Sequence, residues 1–72
     1  MEQKVLAIFE NVLSRKVAMN DELIESDILD SITAVDIVLE VQAEFGCAIP
    51  PTDIANILKT PAMLTAWLEE NV

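Results

Sequence analysis

The stretch 30-DSITAVDIVLEVQAEFG-46 decides the fold of this chain. Apolar residues recur through it at helical spacing, and both of its ends carry helix-boundary signals. Asp30 offers a side-chain oxygen to the free N–H groups of a first helical turn. Gly46 is the only glycine in the chain and tolerates the left-handed conformation that commonly ends a helix. The stretch therefore predicts a helix that begins at Asp30–Ser31 and ends at Phe45–Gly46.

The segment before this helix predicts one further helix and a long loop. From Glu2 to Arg15, apolar residues again follow a helical period, and Arg15 with Lys16 brings positive charge to the C-terminal end. From Val17 to Asp30 no period is sustained. Large apolar side chains in this loop are nevertheless expected to pin it, in an ordered form, onto the core. They are Met19, Leu23, Ile24, Ile28 and Leu29.

The segment after this helix predicts a short helix followed by a longer one. The motif 50-PPTD-53 is a stop and then a start signal, which gives a short third helix from about Thr52 to Leu58. The pair 60-TP-61 supplies a capping hydroxyl and then proline at the first helical position, so it opens a fourth helix. We therefore expect an all-α, small four-helix bundle with three longer helices, one short third helix and a long first loop, forming a single domain over residues 1–72.

The charge of the chain restricts its partners. Four Lys and Arg residues stand against thirteen Asp and Glu residues, which gives a formal net charge of −9 over 72 residues. Such a charge repels nucleic acid phosphates and anionic lipid, and it favours a basic protein partner. Apolar runs stay well short of the ~18 residues that a membrane helix needs, and the first residues lack the layout of an export signal. We expect a cytoplasmic monomer that neither binds nucleic acid nor inserts into a membrane. The single Cys47 has no internal disulfide partner, which fits a reducing compartment.

An acidic stripe follows the second helix. Asp36, Glu40 and Glu44 lie four residues apart and so share one exposed face, and residues 17–58 hold nine carboxylates but no Lys or Arg. Like charges at this spacing oppose helix stability by roughly 0.2–0.5 kcal/mol per pair. Charge alone leaves two interpretations open, a solvated face that keeps the protein soluble and a docking surface. A serine at the head of the same helix favours the docking surface.

The second helix and its flanks resemble the acyl carrier protein family, whose hallmark is an Asp-Ser-Leu-like tripeptide that opens the second of four helices. Here the tripeptide reads 30-DSI-32. The segment 35-VDIV-38 is similar to the family's Val-Glu-Leu-Val, 44-EFG-46 to its Glu-Glu-Phe ending, and 49-IP-50 to its Ile-Pro. With 60-TP-61 before a final helix, the resemblance covers nearly the whole chain and implies an acyl-carrier-like bundle.

The resemblance implies that Ser31 is the residue to which a phosphopantetheinyl transferase, using coenzyme A and magnesium, attaches a 4'-phosphopantetheine arm. The thiol of the arm would carry an acyl or aminoacyl group as a thioester and deliver it to partner enzymes. A serine at a helix start suits this role because it is exposed and the positive helix end tolerates the incoming phosphate. Without the surrounding motif, Ser31 is read more simply as a second capping residue beside Asp30.

The expected partner-binding surface lies on the second helix. Its members are Asp30, Ile32, Val35, Asp36, Glu40 and Glu44. The apolar members are expected to touch the partner, and the acids of the stripe to steer its basic surface. The expected partners are the transferase and the acyl- or aminoacyl-activating ligases or synthases with basic docking patches. The alternative is a non-carrier helical adaptor that binds a basic protein through the same acidic helix.

The sequence does not predict an enzyme or a metal protein. It contains no histidine and no set of nucleophile, base and orienting group that would activate Ser31, and Asp30 is expected to cap the helix rather than act as a base. Nothing basic lies near Cys47 in sequence, so we expect this thiol to be a small buried filler. Asp27 and Asp30 lack the ligand spacing and turn glycine of a calcium loop, and we expect no metal site.

The approach to Ser31 departs from the fatty acid carriers. These proteins usually place a glycine shortly before the Asp-Ser pair, whereas here the approach reads 26-SDIL-29, so the turn must be made without glycine. The string 28-ILDS-31 is more similar to D-alanyl carrier proteins and some stand-alone aminoacyl carriers. The cargo therefore stays open between fatty acyl, polyketide and aminoacyl units.

Overall fold

Four helices and a long first loop make up the fold in a computed structural model that describes residues 1–72. The elements are α1 (Glu2–Leu13), α2 (Ser31–Phe45), α3 (Ile54–Ile57) and α4 (Pro61–Asn71), with a 3-10 turn at Pro51–Asp53 directly before α3. The prediction of an all-α bundle with three longer helices and a short third one is confirmed. None of the helices has both the length and the apolar character required to cross a bilayer.

One apolar cluster of thirteen buried residues lies between the helices, because each longer helix buries one face. α1 packs against both α2 and α4. The buried pairs and triplets stand three or four residues apart, as one face of a helix requires. They are Val5, Ile8 and Phe9 in α1, Ile37 and Val41 in α2, and Leu64 and Leu68 in α4. Full burial of each large aliphatic or aromatic side chain stabilises the fold by about 1.5–3 kcal/mol.

The loop between α1 and α2 is tied to the core and to the junction between α3 and α4. Leu23 and Leu29 are buried, which confirms the expectation that apolar side chains pin this loop. The backbone N–H of Leu23 donates to the carbonyl of Lys59 at 3.0 Å, and that of Ala62 donates to the carbonyl of Met19 at 2.9 Å. These bonds satisfy polar backbone groups that would otherwise lie unpaired beside the core. The loop therefore delivers the chain to the start of α2 at a fixed place.

The first helix ends earlier than its positive residues suggest. Its last residue is Leu13, and Ser14 adopts the left-handed conformation at φ 56°. Arg15 and Lys16 therefore lie beyond the last turn, which contains no basic residue. The expectation that they would close the helix with charge was wrong, because Ser14 turns the chain away first.

The third helix is divided into two short elements. The sequence predicted one helix from about Thr52 to Leu58, whereas the structure has a 3-10 turn and then a single α-helical turn. The N–H of Asp53 donates to the carbonyl of Pro50 at 3.0 Å, which is the tighter 3-10 pattern. The last N–H of this region, on Leu58, donates to Ile54 in the α-helical pattern at 2.9 Å. The segment that follows the proline pair therefore begins as a 3-10 turn and continues as one turn of α-helix.

Candidate functional site

A reciprocal capping box between Asp30 and Thr33 closes the N-terminus of α2. Asp30 is the N-cap residue, with an extended backbone at φ −104° and ψ −175°. The backbone N–H of Thr33 donates to Oδ1 of Asp30 at 2.9 Å, and the backbone N–H of Asp30 donates to Oγ1 of Thr33 at 2.9 Å. The Thr33 hydroxyl also lies 3.0 Å from Oδ1 and 3.2 Å from the carbonyl oxygen of Asp30, to either of which it donates. The expected capping role of Asp30 is confirmed.

The capping box also keeps the Asp30 carboxyl group ionised. Hydrogen bonds from the Thr33 backbone N–H and then from the Thr33 hydroxyl hold the pKa of Asp30 below its ordinary value, and desolvation opposes them only in part. Hydrogen bonds to the charged form of a carboxyl group favour that form. An exposed carboxylate of fixed orientation therefore stands directly before Ser31.

Ser31 is the first residue of α2, and its side chain is exposed. Its hydroxyl takes part in none of the side-chain hydrogen bonds of the structure. The cap of the helix is supplied by Asp30, so Ser31 is not needed for that purpose. The simpler interpretation of Ser31 as a second capping residue therefore has no hydrogen bond to support it. A hydroxyl in this state is open to a modifying enzyme.

An open, mainly apolar cleft of ≈ 410 Å³ adjoins Ser31. Asp30 and Ser31 supply polar groups to its wall. The apolar part of the wall comes from the first loop, from α2 and from the region of α3. Its main members are Ile24, Leu29, Ala34, Val35, Ile54 and Ala55. This cleft was not predicted from the sequence, because it forms only where three separate segments of the chain come together. Its composition suits the apolar part of a group attached at Ser31.

α2 exposes an apolar strip formed by Ile32, Val35 and Leu39. The exposed fractions of these side chains are 73%, 52% and 58%, respectively. Their spacing of three and four residues places them along one side of the helix, while Ile37 and Val41 of the same helix are fully buried. Large apolar side chains gathered in this way mark an interaction surface more often than scattered ones do. Ile32 and Val35 were expected on the partner surface, whereas Leu39 was missed.

The acidic stripe runs beside the apolar strip. Asp36, Glu40 and Glu44 are all exposed, as the sequence analysis expected. Asp36 lies four residues, or roughly one helical turn, after Ile32 of the apolar strip. Glu40 and Glu44 each follow the previous acid by one further turn. The exposed surface of α2 therefore combines apolar contact area with an adjacent row of negative charge, and it begins at Asp30 and Ser31. The structure brings together all the residues predicted for the site.

The only cysteine, Cys47, lies outside this site, and no metal-binding cluster lies within it. Cys47 packs against the core but is only half-buried, and its thiol lies 3.3 Å from the carbonyl oxygen of Asn71, to which it donates. We expected Cys47 to be a small buried filler. It does pack against the core, but it is only partly buried. The structure contains no cluster of three or more Cys, Asp or Glu side chains arranged to hold a metal ion.

Comparison with known families adds one finding. A family model described as "Phosphopantetheine attachment site" matches residues 3–68, a range that contains α2 and α3 and most of α1 and α4. No curated protein shows significant similarity to the chain. The matched range includes the capping box, Ser31, the cleft and the exposed surface of α2.

Proposed function

The chain belongs to the phosphopantetheine attachment family of carrier proteins, and from this premise we propose that Ser31 receives the arm and that residues 1–72 act as one carrier domain. Members of this family are non-catalytic carriers that a phosphopantetheinyl transferase modifies with covalent 4'-phosphopantetheine. When bound, the arm supplies a thiol that holds an acyl or aminoacyl group as a thioester. Family membership favours this carrier role over the helical adaptor.

The observation that carries the proposal is the unpartnered, exposed hydroxyl of Ser31 at the first position of α2. Oγ would attack the phosphate of coenzyme A that carries the pantetheine; the pyrophosphate bond would break, adenosine 3',5'-bisphosphate would leave, and the hydroxyl proton would pass to the transferase or to water. Because Asp30 and Thr33 form the cap, this bond removes no hydrogen bond that holds the helix. The free N–H groups and dipole of the helix start also favour a phosphate beside it.

The cleft beside Ser31 supports a role in holding part of the arm or cargo. A group tethered at Ser31 is delivered to the cleft without the loss of translational freedom that a free ligand would suffer. Leu29 and Val35 offer apolar contact close to the tether, and Ile54 and Ala55 form the side supplied by the α3 region. This lining fits the apolar portion of an acyl chain, of an aminoacyl side chain or of the arm itself. The cleft therefore does not distinguish an acyl from an aminoacyl cargo.

The exposed surface of α2 supports docking to enzymes with basic patches. Family membership gives the transferase and the enzymes of the pathway as partners. In our proposal, Ile32 and Val35 contact the partner directly, and Leu39 extends the contact by one more turn. The carboxylates of Asp36 and Glu40 attract a basic surface and orient its approach toward Ser31.

Mass spectrometry of a loading reaction tests the attachment site. Incubation with coenzyme A, magnesium and a broad-specificity phosphopantetheinyl transferase should add one phosphopantetheine to the protein. Ser31→Ala should receive none, whereas Ser26→Ala, which alters another exposed serine in the preceding loop, should be loaded like the wild type. An unmodified wild type, or an adduct that persists in Ser31→Ala, would overturn the proposed site. Loading of the modified protein with fatty acyl and aminoacyl donors would then identify the cargo.

A further inference from the structure

We propose that Thr33 is a positioning residue for the modification of Ser31, because its hydroxyl ties Asp30 to the first turn of α2 and so fixes the place from which Ser31 is presented. The inference rests on the proposed function of Ser31 as the attachment site. It assigns to Thr33 a part in the loading reaction without contact between Thr33 and the reacting atoms.

Four hydrogen bonds join Asp30 and Thr33. Three of the four use the Thr33 hydroxyl, which accepts from the Asp30 backbone N–H and donates to Oδ1 or the carbonyl oxygen of Asp30. Only the bond from the Thr33 backbone N–H to Oδ1 is independent of the hydroxyl. Removing this one hydroxyl therefore leaves the Asp30 side chain held by the Thr33 N–H alone, and the Asp30 backbone held by the bond that its carbonyl accepts from the N–H of Ala34 at 2.9 Å.

Ser31 lies between the two residues that the box connects, so its backbone position follows from theirs. With Asp30 held in an extended conformation and Thr33 in the helix, the chain has little freedom at Ser31. Transfer requires the hydroxyl to meet the phosphate of coenzyme A at short range and in the correct direction. Small displacements of a reacting group lower the rate of such a step markedly. The hydroxyl of Thr33 therefore acts on the reaction through Asp30 and the backbone of Ser31.

The charge of Asp30 gives a second consequence of the same geometry. The Thr33 hydroxyl helps to hold the pKa of Asp30 below its ordinary value. Loss of the hydroxyl should raise this pKa toward the ordinary value, because only backbone N–H groups, that of Thr33 foremost, then favour the carboxylate. The pKa of Asp30 thus reports directly whether the box is formed, independently of the stability of the whole fold.

The N-cap of α4 provides a matched control. Oγ1 of Thr60 accepts a hydrogen bond from the N–H of Met63 at 3.1 Å, and Thr60 is half-buried like Thr33. Thr60 is not part of the wall of the cleft beside Ser31. Thr60→Val therefore removes a threonine cap from this fold at a place where the cap does not position Ser31.

The experiment compares initial rates of phosphopantetheine transfer to the full chain, well below the thermal midpoint of every variant. We expect Thr33→Val to be loaded at least about fivefold more slowly than Thr60→Val, because the variant loses both the hydrogen bond that the hydroxyl accepts and the one that it donates. Thr33→Ser should recover most of the rate. Thr33→Ala, whose better helix propensity helps to keep α2 folded, should be loaded as slowly as Thr33→Val. Carboxyl ¹³C titration should show a raised Asp30 pKa in Thr33→Val but not in Thr60→Val.

The outcomes separate the inference from the function on which it rests. Equal loading of Thr33→Val and Thr60→Val would overturn the positioning role of Thr33, and so would a failure of Thr33→Ser to recover the rate. Either result leaves Ser31 as the attachment site, provided that the wild type is loaded and Ser31→Ala is not. Loading of Ser31→Ala would instead overturn the proposed function itself.

Discussion

Replacement of Asp27 by glycine should stabilise this protein, because Asp27 makes the turn into α2 with a backbone conformation that L-amino acids disfavour. Its φ is 56°. The backbone N–H groups of Ile28 and Leu29, which follow it, both donate to the carbonyl oxygen of Leu23 at 2.9 Å. The turn is therefore closed by backbone bonds, and no side-chain hydrogen bond of Asp27 contributes to it. Glycine can adopt the same conformation without a Cβ clash.

The size of the effect follows from two opposing contributions to the free energy of unfolding. The left-handed conformation costs an ordinary L-residue roughly 1–2 kcal/mol, and less for aspartate, which visits this region more readily. Glycine also increases the conformational entropy of the unfolded chain, which lowers the free energy of unfolding by about 0.4–1 kcal/mol and so opposes the relief of backbone strain. The net stabilisation is on the order of 0.5 kcal/mol, to which the loss of one carboxylate from an acidic segment adds. In a domain of this size, that raises the thermal midpoint by about 2–4 °C.

Thermal unfolding followed by far-ultraviolet circular dichroism measures this change. Asp27→Asn is the charge control, since asparagine removes the carboxylate and also tolerates the left-handed region. Ser26→Gly is the position control, because Ser26 does not have a positive φ and glycine there should lower the midpoint. Equal midpoints for Asp27→Gly and Asp27→Asn, or a similar rise in Ser26→Gly, would refute the reasoning from backbone strain.

The charges of α2 and its cap give three further expectations. Moderate salt should raise the thermal midpoint by about 2–4 °C, because it screens two like-charged i, i+4 pairs that each cost roughly 0.2–0.5 kcal/mol. A midpoint that does not change with salt would mean that these acids are too well hydrated to affect stability. The double variant Asp36→Lys with Glu40→Lys should be loaded by the transferase at least about tenfold more slowly at low salt, with a smaller loss at high salt and an unchanged fold; loading at the wild-type rate at low salt would argue against steering by the acidic stripe. The pKa of Asp30 is lowered in the folded state, so the stability that its carboxylate contributes is present above its ordinary pKa and is lost as the pH falls through the folded value. The midpoint of the wild type should therefore exceed that of Asp30→Asn at neutral pH and approach it below about pH 4, whereas a constant difference would contradict this linkage.

The helices that carry the site could be predicted because their boundary signals are local. Asp30 caps α2, Gly46 ends it in the left-handed conformation at φ 73°, and Thr60 caps α4, each as the sequence indicates. The end of α1 could not be predicted in the same way. Ser14 is not a typical left-handed residue, so no local signal marks the end of the helix, although Val17 just beyond it is buried in the core.

The candidate site was predicted where its chemistry follows from one helix and missed where it depends on tertiary structure. Ser31 and the acidic stripe are fixed by position along α2. Val38 and Leu39 are adjacent apolar residues, and their sequence alone does not tell that Leu39 is exposed and Val38 half-buried, which depends on how α2 is oriented in the bundle. The cleft likewise requires Ile54 to lie near Ala34, which no local pattern encodes. The capping role of Thr33 does have a local signal, which is a hydroxyl three residues after a capping aspartate.

The surface of α2 is assembled from features that each work against the stability of the isolated protein. Exposed apolar side chains such as Ile32 gain nothing from burial, and a row of acids without neighbouring cations repels itself. Both losses would be recovered in the docking that we propose, because a basic partner would cover the apolar side chains and neutralise the acids. The same logic applies at the helix start. Because Asp30 and Thr33 satisfy the cap, the Ser31 side chain has no structural hydrogen bond to lose, and the modification that we propose there would add a phosphate at the helix start without weakening α2.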